Sequence, residues 1–90
     1  MNDVGKTAQP KLKEALAMVE PHYPYVFCFR FYGDDGYRWG VAGAKAHSRS
    51  EAVKLVAQHI SEFSTPRLMW LATREGQVIY PATGPRDYEL

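Results

Sequence analysis

The side chains in this sequence that commonly do chemistry are each isolated from the partners that chemistry needs. His22, His47 and His59 are the imidazoles available for metal binding or proton transfer, yet no two have the spacing that sets a pair on one helical face. They read as ordinary surface or half-buried histidines. Cys28 would need a neighbouring base and a lowered pKa to act as a nucleophile. It falls instead in the apolar run Tyr25-Val-Phe-Cys-Phe29, where a thiol is inert. Asp34 and Asp35 are an adjacent acidic pair, the type of group that holds a hard cation or trades protons. They sit in Gly33-Asp-Asp-Gly36, which is turn chemistry. Gly33, Gly36, Gly40 and Gly43 lack the following helix start of a phosphate-cradling loop. Together these residues point away from an enzyme, a bound metal and a cofactor.

Periodicity supplies the elements that would carry a binding surface instead. Met1 to Gln9 is polar and without period, which predicts a flexible arm. From Pro10 to Glu20, Leu12, Ala15, Leu16 and Val19 recur at helical spacing, with Lys11, Lys13, Glu14 and Glu20 facing water and Pro21 ending the run. Tyr25 to Tyr32 is aromatic and β-branched, bounded by Pro24 and Gly33, and predicts a strand. A turn over residues 33–36 and a strand over Tyr37 to Ala46 complete a hairpin. Ser48-Arg-Ser-Glu51 matches a capping box and opens a helix to about Phe63, with Val53, Val56, Ile60 and Phe63 as its stripe and Ala52 and Ala57 beside it. Leu68 to Thr73 and Val78 to Ala82 form a second hairpin, and Thr83 to Leu90 is a tail. The expected architecture is α+β: one domain over residues 10–82, in the order α-β-β-α-β-β. A four-stranded antiparallel sheet carrying two helices on one face would make a two-layer sandwich. That order is a circular permutation of the ferredoxin-like plait.

Strand alternation then defines a candidate site. Phe27, Phe29 and Phe31 share a face, and with a two- or four-residue loop that face also holds Arg38, Gly40, Ala42 and Ala44. Rings opposite small residues make the core side. Arg30, Tyr32, Tyr37 and Trp39 are left together on the other side, which the two helices would leave uncovered, with Trp70 or Tyr80 as the residue that would join them from the second hairpin. Aromatic residues and Arg are the types enriched at interface hot spots. Other outcomes for this face are that its side chains cover one another, that the arm or tail covers it, or that a second copy of the chain does.

Composition narrows the class of partner. Ninety residues, 46% hydrophobic and 13% aromatic, suit one compact domain, and a single cysteine suits a reducing cytoplasm. No apolar run is long enough for export or for a membrane span. Eleven Lys and Arg against ten Asp and Glu argue against affinity drawn mainly from phosphates, although Arg30, Arg38 and Lys45 all fall in the first hairpin. The reading is a small non-enzymatic protein-binding module, an inhibitor or assembly partner of a larger complex. In size and hairpin-helix-hairpin layout the chain resembles phage and mobile-element inhibitors of the anti-CRISPR type. The Asp-Asp-Gly hairpin followed by Ser-Arg-Ser-Glu-Ala resembles HicB-type antitoxin domains over roughly residues 25–60, without their acidic pattern and glycine placement. The alternative is single-stranded nucleic acid, RNA in particular, stacked on Tyr32, Tyr37 and Trp39. An enzyme comes third and would need a pocket shared between two copies.

Overall fold

A computed structural model describes residues 3–81 of the chain; the tail expected over residues 83–90 lies outside them. The elements are β1 (Asp3–Lys6), α1 (Leu12–Met18), β2 (Tyr25–Gly33), β3 (Gly36–Ala44), α2 (Arg49–Ile60), β4 (Arg67–Thr73) and β5 (Val78–Tyr80). The strands form one antiparallel sheet in the order β1-β3-β2-β4-β5. The class is therefore α+β, but with five strands. The additional strand, β1, comes from the segment expected to be a loose arm and pairs along β3.

The two helices lie on opposite faces of the sheet, which corrects the expected two-layer sandwich and excludes the plait layout. On one face Leu12, Ala15 and Val19 of the α1 region pack with Val26, Cys28, Val41, Trp70 and Ala72. On the other, Ala52 and Val56 of α2 pack with Phe27, Phe29, Ala42, Ala44 and Leu71. The physical reason is visible in β2, where Val26, Phe27, Cys28 and Phe29 are all buried in succession. A strand buried on both faces reads as a continuous apolar run, whereas a half-exposed one alternates.

The β2–β3 turn has the two-residue loop that sets the expected parity. Gly33 pairs with Gly36 across Asp34 and Asp35, and the positive φ falls on Gly36, at +137°, where a residue without Cβ is unstrained. Arg38 bonds Asp35 across this turn. The Phe row consequently does face the small residues of β3. Gly40 lies under the Phe29 ring so closely that a Cβ there would stand 2.6 Å from Phe29 Cζ, while Phe29 is fully buried and in tilted ring contact with Phe27, Phe31 and Phe63. Gly40→Ala is therefore expected to cost about 1–3 kcal/mol through overpacking, read as a fall in the urea midpoint; an unchanged midpoint would mean that the ring has room to move.

Helix α2 begins as its residues dictate. The Ser48 hydroxyl accepts from the Glu51 N–H at 3.2 Å, and the Glu51 carboxylate accepts from the His47 N–H at 2.5 Å, one residue before the expected Ser48 N–H. That backbone hydrogen bond is the main cause that lowers the Glu51 pKa. Its buried residues are Ala52 and Val56, with Ile60 partly buried and His59 against the Phe27 and Phe29 rings; the helix ends at Ile60, short of the expected Phe63, which packs on the same cluster from beyond it. Val53, expected in the stripe, is 48% exposed, and Ala57 is exposed as well. The helix shows its Ala52 side to the sheet, where Ala52 packs in one cluster with the small residues Ala42 and Ala44.

Helix α1 carries no basic residue in its last turn, and its C-terminus is capped from elsewhere in the chain. Arg74, in the turn between β4 and β5, donates to the carbonyls of Leu16 (2.9 Å), Val19 (3.2 Å), Glu20 (2.6 Å) and Tyr23 (3.0 Å). Its own backbone N–H donates to the Pro24 carbonyl at 2.9 Å. A guanidinium satisfies the carbonyls that a helix end leaves free and complements the negative pole of the helix dipole.

Candidate functional site

The length of α1 decides what stays open. Its 7 residues span about 10 Å, whereas the 9 residues of β2 run about 30 Å, so the helix covers only part of its face. It packs over Val26 and Cys28 and leaves the hairpin end of β2 and β3 beyond it. There Arg30 lies opposite Trp39, and Tyr32 opposite Tyr37. Alternation thus places four of the five expected site residues together.

Their geometry is defined. The Arg30 guanidinium carbon sits 4.3 Å from the Tyr37 ring centroid, a cation–π contact. Tyr32 and Tyr37 meet edge to face, with centroids 5.5 Å apart and planes at 86°. Tyr32 is 51% and Tyr37 49% exposed, so both rings are held in place while half of each surface meets solvent. The backbone behind them is pinned by the Tyr32 N–H, which donates to the Ser64 carbonyl at 2.9 Å. Trp39 is half-buried against the α1 core and forms the inner border of the patch.

Trp70 is a correction. It lies opposite Cys28 on β2 and is fully buried under α1, where it belongs to the core and offers no surface. The expected cations of the first hairpin also separate. Arg38 pairs with Phe31 on the opposite face, and Lys45 reaches back over the Tyr23 ring, 5.4 Å from its centroid. Arg67 takes their place. It is the register partner of Arg30 across β4 and is exposed, while Lys6 is the partner of Trp39 across β1. Neither position was legible beforehand, because a bulge between Cys28 and Phe29 shifts the β2–β4 register and β1 has no periodic pattern.

Elsewhere among the described residues the histidines and the cysteine each have their own surroundings. His22 rests on Tyr23, His47 on Glu51, and His59 on the Phe rings. The Cys28 thiol is buried, and desolvation pushes its pKa up to about 12, which removes the thiolate at neutral pH. An open depression of about 210 Å³ lies between α1 and the β4–β5 turn, lined by Leu12, Lys13, Leu16, Glu75 and Gly76. Among the described residues no group of three or more His, Cys, Asp or Glu is placed to hold a metal ion, and no helix is long and apolar enough to cross a membrane.

Fold and surface together define a small α+β domain with a five-stranded antiparallel sheet between two helices and an aromatic–arginine patch at its hairpin end. No family model, curated protein or solved structure matches the chain.

Proposed function

We propose that the protein is a non-enzymatic binding module that engages a larger protein through the patch of Arg30, Tyr32 and Tyr37, with Trp39 at its inner border, as an inhibitor or assembly partner. The observation that carries this reading is the pair of half-exposed tyrosines already locked by each other and by Arg30. Rings fixed before binding lose little conformational entropy on association, which is what an interface anchor needs. Single-stranded nucleic acid ranks second. Stacking bases need free ring faces along a strand, whereas the Arg30 guanidinium already lies on the Tyr37 ring and Tyr32 stands perpendicular to it. Asp34 and Asp35 at the same hairpin tip would also repel a phosphate backbone.

The test is to co-purify the tagged protein from its own cell with and without nuclease, at low and high salt. A stoichiometric protein that survives both treatments is the expected result. Tyr37→Ala should then weaken its binding by about 2 kcal/mol or more, with an unchanged circular dichroism spectrum because this ring is half in solvent. Recovery of nucleic acid alone, released by salt, would reverse the ranking; wild-type affinity in the Tyr37→Ala protein would remove the patch from the interface.

A further inference from the structure

The register at the hairpin end sets two arginines at opposed positions of neighbouring strands. Arg30 and Arg67 are opposite each other on β2 and β4, and like charges at directly opposed positions of a sheet repel. Among the described residues neither takes part in an ion pair; the pairs found are Arg38 with Asp35 and His47 with Glu51. Arg30 has the Tyr37 ring against its guanidinium, but its Nε is buried without a hydrogen-bond acceptor among the described residues. A partly desolvated guanidinium with an unused donor, with a second, exposed arginine opposite it on β4, leaves positive charge that water only partly offsets. The aromatic rings beside it bring apolar area but no carboxylate.

Building on the binding-module reading, we infer that the partner presents a carboxylate-bearing segment, whose Asp or Glu side chains seat on Arg30 and Arg67 while apolar neighbours meet Tyr32 and Tyr37. Planar guanidinium forks match carboxylates in bidentate geometry, and two arginines at opposed positions of neighbouring strands favour a segment that carries more than one acidic residue. Near-neutral net charge, +1 for the chain, and the Asp34–Asp35 tip limit attraction to a long polyanion, so a protein carboxylate is favoured over a phosphate backbone.

The test follows the side-chain Nε–H signals of Arg30 and Arg67 by NMR during titration with hexaglutamate, hexaglutamine and oligothymidylate. Saturable shifts with hexaglutamate, absent with hexaglutamine and weakened about tenfold or more in R67Q, are the expected result. Equal response to the two peptides, or none to hexaglutamate, overturns the inference. A response to oligothymidylate in place of hexaglutamate overturns the carboxylate assignment in favour of phosphate. The two levels separate on the co-purified partner: loss of binding in Tyr37→Ala with unchanged affinity in R67E and no salt dependence would sink the acidic-partner inference alone, whereas retained binding in Tyr37→Ala would sink the binding-module reading beneath it.

Discussion

Trp70→Ala is expected to destabilise the protein by about 3–5 kcal/mol, the cost of removing a large aromatic side chain from a packed core. Trp70 is the largest fully buried side chain and lies at the centre of the cluster formed by Leu12, Ala15, Val19, Val26, Cys28, Val41 and Ala72. Small residues of the same cluster, such as Ala15 and Ala72, cannot fill the space it leaves. Since domains of this kind are stable by only about 5–15 kcal/mol, the loss would be a large part of the total and should appear as a strong fall in the urea midpoint. The same side chain on a partner-binding surface would produce a different result, a near-native midpoint with weakened binding. The experiment thus discriminates directly between a sheet covered on both faces and one left open on the Cys28 side. Fluorescence of a Trp39→Phe protein supplies a second readout: emission from Trp70 should be blue-shifted and protected from iodide quenching.

Arg74→Ala is expected to cost about 3 kcal/mol, below the sum of four charge-assisted hydrogen bonds at about 1.5–3 kcal/mol each, because such contributions are not additive and the outermost bond, to the Glu20 carbonyl, is exposed to water. The bonds to the Leu16, Val19 and Tyr23 carbonyls are partly buried, so their loss leaves acceptors that water reaches poorly. At about 4–8 °C per kcal/mol for a domain of this size, the melting temperature should fall by roughly 12 °C or more. The effect should also be local. Amide protection should drop first around α1, whose 7 residues are too few to persist without tertiary support. Arg74→Lys should recover less than half the loss, since one ammonium cannot span carbonyls from residues 16 to 23 as a planar fork does. A midpoint near wild type in Arg74→Ala would mean that α1 is held by its apolar face alone.

The candidate site was legible from the sequence to the extent that it depends on strand alternation. Gly33-Asp-Asp-Gly36 specified a tight turn, a two-residue loop fixed its parity, and the period of two along each strand then placed Arg30, Tyr32, Tyr37 and Trp39 on one side and Phe27, Phe29 and Phe31 on the other. Ser48 and Glu51 likewise announced the start of α2 through hydrogen bonds within a few residues of each other. Trp70 was misplaced because alternation identifies a shared face but not what covers it. It does lie on the Cys28 face, and α1 lies on top of it. The continuous burial of Val26 to Phe29 was the available sign that both faces are occupied.

What the sequence by itself determined is therefore what acts over a few residues: the hairpin, with its parity conditional on an even-numbered loop, the start of α2, and the shared face of Phe27, Phe29 and Phe31. Only the tertiary structure decided which face each helix occupies, that residues 3–6 add a strand to β3, that Arg67 stands beside Arg30, and that Arg74 caps a helix more than fifty residues earlier in the chain. The division has a physical reason. Turn geometry, strand alternation and capping are satisfied locally, whereas helix placement and long-range capping depend on which surfaces remain unburied once the sheet has formed.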